Sequence, residues 1–126
     1  MARLLLIFIA GGLGAVLRFL VAGWMERLAG TFPVGTLSVN VIGSVAIGLA
    51  VTLLSGPVLL RPEYRLAVVV GLLGGFTTFS SYSWETVSLV QDGQWRLAAA
   101  NVLLSNGLGL AAAWLGMRLS IIWHGG

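Results

Sequence analysis

Apolar residues in this chain gather into four long blocks, running approximately from Leu4 to Met25, Val34 to Ser55, Leu66 to Val90 and Leu97 to Trp123. A hydrocarbon core about 30 Å thick takes roughly 20 apolar residues in helical form, so each block predicts one transmembrane helix. Pro33, Pro57 and Pro62 fall in the predicted connections with most of the charges, where backbone can be hydrated. Four crossings place both termini on one side. The expected architecture is an all-α membrane protein with one domain over residues 1–126, and residues 4 to 17 belong to that fold rather than to a cleavable leader.

The polar positions inside the blocks are periodic. Thr36, Asn40 and Ser44 recur every four residues in the second block and share one helix face, as do Asn101 and Ser105 in the fourth, with Gly109 continuing that line as a gap. Such residues either hold helices together or line a path through the membrane. The stripes carry amides and hydroxyls without carboxylates. That chemistry suits solvation of an anion and does not suit a proton relay or cation exchange.

The third block reads GLLGGFTTFSSYSWET over residues 71–86. A glycine pair followed by Thr77, Thr78, Ser80, Ser81 and Ser83 combines weak helix propensity with hydroxyls that compete for backbone hydrogen bonds. An interrupted helix is expected, with its break around Gly74 to Thr77. Non-helical backbone survives at membrane depth only when buried in protein or lining a cavity, and its freed carbonyls can coordinate a cation. Phe79 and Tyr82 stand three apart on one face of the helix that follows. They are either packing aromatics or ring edges that attract a small anion without trapping it.

Composition then removes several function classes. The 126 residues are 58% hydrophobic and 9% charged, against roughly 45–50% apolar residues in soluble domains. There are no cysteines, hence no disulfides, thiolate metal sites or cysteine nucleophiles. The net charge of +3 comes from scattered arginines and not from a basic run, which excludes a nucleic-acid partner and leaves membrane lipid as the surroundings. No nucleophile, base and oxyanion site can be assembled, so no enzyme is expected. Arg3, Arg61, Arg65 and Arg118 lie on the terminal side, against Arg27 and Arg96 on the other, with Arg18 placed within a span. That weak bias permits insertion in both directions, and with it an antiparallel dimer.

Arg18 and Glu85 are charges within the spans that need a partner or an aqueous path. Arg18 either snorkels to the headgroups or serves an aqueous vestibule. Glu85 sits about 7 Å inside the third span, where an arginine or hydroxyl partner is expected. Trp24, Trp95 and Trp123 fit an interfacial aromatic belt, and His124 alone makes no metal site.

Three segments, GGLGAVLRF at 11–19, GTLSVNVIGS at 35–44 and GGFTTFSSYSWE at 74–85, together resemble the Fluc family of fluoride channels, also called CrcB, over essentially the whole chain. The resemblance implies an antiparallel, dual-topology homodimer in a bacterial inner membrane, with two fluoride pores and a central structural sodium ion. Asn40 would be the pore amide, and Phe79 and Tyr82 the aromatic pair. Thr36, Thr78, Ser80 and Ser105 would extend the fluoride pathway. Arg18 would be the vestibule arginine, Glu85 the acidic residue after the aromatic pair, and Gly74 and Thr77 would supply sodium-binding carbonyls. Its implied function is passive fluoride release, which lowers fluoride toxicity. Tyr82 stands where the family pattern has a second phenylalanine, Asn101 where members can have an aromatic hydroxyl, and Gly109 where a hydroxyl can stand. A small multidrug exporter, the main rival, needs a carboxylate in the first helix, and none precedes Glu26, which is expected in the loop. The other rival is a membrane subunit that transports nothing.

Overall fold

The computed structural model describes residues 1–125 as an all-helical chain. Helix α1 spans Ala2–Glu26 and α2 spans Val34–Ser55. The third crossing is composite: α3 (Pro62–Leu66), a π-helical stretch (Ala67–Leu73), α4 (Gly74–Phe76), two extended residues, and α5 (Phe79–Gln91). Helix α6 spans Trp95–Trp123. Four stretches are thus long and apolar enough to cross a membrane, the third covering Pro62–Gln91.

The sequence-based boundaries for α2 coincide with those observed. The third crossing begins four residues earlier than expected, because Pro62 opens α3 instead of belonging to the connection. A first-turn proline loses nothing, since its missing N–H would have no helical acceptor there. Glu26 likewise is the last residue of α1, not a loop residue. The termini of the first and third crossings are tied by an Arg3 to Glu63 ion pair at 3.6 Å, and Arg65 donates to Ser55 Oγ at 2.9 Å.

Close helix contact explains much of the glycine content. Helices α2 and α6 pack most extensively, with Gly48 against the Ala113 carbonyl and Gly116 against the Val45 carbonyl. A Cβ at either position would overlap backbone, so only glycine permits this crossing, as in other membrane helix pairs dominated by small residues. Helix α1 makes a similar approach to the π-helical stretch and α4. Gly14 lies against Leu72 O and Gly75 against Gly11 O, again with no room for a Cβ.

Few side chains are fully buried; Val39, Asn101 and Ser120 are the largest below 2% exposure. Leucines, valines and aromatics cover the outside of the bundle, including the expected belt residues Trp24, Trp95 and Trp123. This inverted distribution is what a hydrocarbon solvent allows, since an apolar exterior carries no penalty there.

Candidate functional site

The expected break in the third crossing lies at Thr77 and Thr78, close to the middle of the Pro62–Gln91 crossing. Both residues are extended, with φ/ψ of −89°/156° and −149°/120°. Gly74 and Gly75, predicted to begin the interruption, remain helical in α4. The chain prepares for the break upstream, where the π-helical turn of Ala67–Leu73 widens the helix.

Backbone groups at the break are satisfied by side chains from two other helices. Asn40 on α2 makes a two-point hook: its Nδ2 donates to Thr78 O at 2.9 Å, and its Oδ1 accepts from Thr78 N–H at 2.8 Å. Arg18 on α1 donates from Nε to Gly75 O at 3.2 Å. Thr77 returns both its N–H and its hydroxyl to Leu73 O, at 3.1 and 3.0 Å. Thr78 caps α5, its Oγ1 accepting from Ser81 N–H at 3.2 Å. Among the described residues, the carbonyls of Gly74, Phe76 and Thr77 receive no donor. Bare carbonyls at membrane depth are costly unless a cation or water takes them.

Beyond the break, two polar rows run along α5. One joins α2 to α5, where Thr36 Oγ1 donates to Glu85 Oε1 at 2.6 Å, the hydroxyl partnership expected for that carboxylate. The other joins α5 to α6. There Asn101 Nδ2 donates to Thr86 Oγ1 at 2.9 Å, Ser105 Oγ donates to Asn101 Oδ1 at 3.2 Å, and Asn106 Nδ2 lies 3.2 Å from the Tyr82 hydroxyl. The Phe79 and Tyr82 rings form a tilted pair with centroids 5.5 Å apart. Phe79 is 79% exposed on the outside of the bundle.

Two concavities flank the break. One, about 350 Å³, is lined by Asn40, Ser44, Gly74, Thr77, Thr78 and Phe79 among others. The second, about 280 Å³, brings Arg18 together with Glu26, Thr36, Thr78, Ser81 and Glu85. Among the described residues no group of three or more His, Cys, Asp or Glu side chains could hold a metal ion.

The structure therefore gathers most sequence-predicted residues around one feature. Asn40, Phe79, Thr78, Gly74 and Thr77 meet in the first concavity, and Arg18, Thr36 and Glu85 in the second, which Thr78 also lines. Ser80 reaches the break only through a 3.3 Å contact with Thr78 Oγ1, while Ser105 stands apart in the α5–α6 row. Two participants escaped the pattern of the sequence. Asn106 lies one residue beyond Ser105, off the Asn101–Ser105–Gly109 line, and Glu26 reaches back from the end of α1. A Cβ at Gly35 would meet the Glu26 side chain, a proximity that only the packing of α1 on α2 reveals.

Residues 5–117 match the family model described as CrcB-like protein, Camphor Resistance (CrcB). The chain is 48% identical over 119 residues to a fluoride-specific ion channel FluC of Solibacter usitatus, covering 94% of this chain and 98% of the relative. It is 46% identical over 118 residues to the protein of the same description from Geobacter sulfurreducens, covering 93% and 95%. With that of Serratia proteamaculans it shares 40% identity over 126 residues, 100% of this chain and 98% of the relative.

Proposed function

The chain belongs to the CrcB-like family, and on that premise we propose that it is a fluoride-selective membrane channel, not an enzyme, that releases fluoride passively from the cytoplasm. The observation that carries the proposal is the Thr77–Thr78 break, pinned by Asn40 and placed beside the exposed Phe79. A break held by side chains of two other helices is a built feature, and this one lines an open concavity, as irregular backbone at membrane ion sites does.

Fluoride enters acidified cells as neutral hydrofluoric acid, ionises in the more neutral cytoplasm and is trapped there as the anion. A potential negative inside drives the anion out by roughly 2.3 kcal/mol per charge per 100 mV, so a pore needs neither ATP nor a coupled ion. The proposed pathway uses Asn40, Phe79, Tyr82, Thr36, Thr78, Ser80 and Ser105, with Arg18 in the vestibule and Glu85 holding the Thr36 hydroxyl. Ring edges and N–H or O–H donors offer fluoride partial positive charge that is strong enough to replace water and weak enough to release it.

The whole chain, as one domain, would work as an antiparallel homodimer in a bacterial inner membrane. The weak arginine bias supports dual insertion, and the open concavity carrying Asn40 and Phe79 supports a second copy closing the path. The donor set fits a sodium ion, because the Gly74 and Thr77 carbonyls face no hydrogen-bond donor among the described residues. Bound there, the ion would supply a fixed positive charge at the centre of the assembly.

Purified protein in liposomes loaded with equal fluoride and chloride tests the proposal. Loss of fluoride to an external electrode with chloride retained is expected. Equal loss of both, or retention of both by correctly folded protein, would overturn it.

A further inference from the structure

Tyr82 departs from the phenylalanine implied at its position, and its hydroxyl has a defined partner. Asn106 Nδ2 lies 2.8 Å from Val102 O and 3.2 Å from the Tyr82 hydroxyl. A carbonyl only accepts, so the amide group facing Val102 must be the NH2, and the assignment of the Asn106 side chain follows from the network. An amide nitrogen only donates. The Tyr82 oxygen therefore accepts from Asn106, and its own proton stays available.

Its neighbours in the α5–α6 seam have no such proton left. Thr86 Oγ1 donates to Tyr82 O at 2.8 Å, and Ser105 Oγ donates to Asn101 Oδ1. On α2 the stripe is similarly engaged: Thr36 donates to Glu85, and Ser44 donates to Asn40 O at 2.7 Å. Of the three seam hydroxyls, Tyr82 alone donates to no acceptor among the described residues, and its ring is tilted against the exposed Phe79 with centroids 5.5 Å apart. A phenol that accepts one hydrogen bond becomes a better donor for the next, because bonds in a chain polarise one another.

Resting on the fluoride reading above, the geometry points to the Tyr82 phenol O–H as a hydrogen-bond donor to fluoride, with Asn106 as its positioning residue. The ligand is a small, strongly accepting anion, to which an O–H donor makes a charge-assisted bond. Chloride, larger and a weaker acceptor, gains less from the same group. The substitution at this position thus adds a donor instead of removing a site, and Asn106 keeps that donor aimed.

The test is fluoride conductance in planar bilayers, measured against fluoride concentration. Tyr82→Phe removes only the hydroxyl, and the half-saturating fluoride concentration is expected to rise about ten-fold, the factor that one retained charge-assisted hydrogen bond confers. Asn106→Leu should raise it similarly, and the double variant no further than Tyr82→Phe alone. Unchanged half-saturation in a conducting Tyr82→Phe protein would overturn the assignment while leaving the fluoride channel intact. An equal effect of Asn106→Leu in the Tyr82→Phe background would overturn the positioning role. Absence of fluoride conductance in the folded parent would overturn both this assignment and the proposed function. Because the chain has two tyrosines, a second readout needs no pore variant. In Tyr64→Phe protein, exchanging sodium chloride for sodium fluoride should shift the tyrosine near-ultraviolet band, and no shift would equally overturn the donor role.

Discussion

Removing the Asn40 amide tests how the break is held. Asn40→Ala deprives Thr78 of a donor at 2.9 Å and an acceptor at 2.8 Å in one step. Leaving a buried polar backbone group unpaired costs about 1–3 kcal/mol. Asn40 and Thr78 are half-buried, which favours the lower end for each group, so the pair should cost about 2–3 kcal/mol. Asn40→Asp separates the two bonds. Its carboxylate still accepts from Thr78 N–H but turns an anionic oxygen toward Thr78 O, where the amide donated. The assay combines thermal unfolding in detergent with fluoride efflux from liposomes. Asn40→Ala should unfold at lower temperature, and both variants should lose at least ten-fold in efflux. Parent-like unfolding and efflux in Asn40→Ala would refute the hook as the element that sets the break.

Other expectations follow from the packing and the charges. Gly116→Val forces a side chain into the Val45 carbonyl and should destabilise the α2–α6 crossing by about 1–3 kcal/mol, whereas Gly12→Ala, which meets nothing within 4 Å, should stay within about 1 kcal/mol of the parent by thermal unfolding. Arg18→Ala removes the donor to Gly75 O and should lower stability by about 1 kcal/mol, with partial recovery in Arg18→Lys if the lysine reaches the same carbonyl. The chain lacks cysteine, so Ala2→Cys creates a single label site near one terminus. Dual insertion predicts that an impermeant thiol reagent labels it from both faces of the membrane, and labelling from one face alone would refute it.

Span number and the presence of an interruption were legible in the sequence because each depends on a strong, local signal. A run of about 20 apolar residues has few alternatives to a membrane helix. Glycines followed by five hydroxyl residues weaken that helix in one place. The position of the break was displaced because tertiary contact overrides propensity: Gly75 is held helical against Gly11 and by Arg18, so the interruption passes to Thr77 and Thr78. The π-helical turn over AVVVGLL has no side-chain signature that distinguishes it from ordinary helix. At the site, the α2 stripe stood out by its four-residue spacing. Asn106 did not, since it is rotated about 100° from Ser105 and belongs to no stripe. Its meaning depends on Tyr82, which only the packing of α5 on α6 brings to it. The break could be located from sequence only by knowing which neighbouring helix supplies its missing hydrogen bonds.

The reversal potential of single channels tests fluoride selectivity most directly. With sodium fluoride at unequal concentrations on the two sides of a planar bilayer, and sodium chloride making up the difference, current should reverse near the value set by the fluoride gradient alone. Reversal near the value set by chloride or sodium, or currents that persist unchanged when fluoride is absent from both sides, would contradict a fluoride-selective pore.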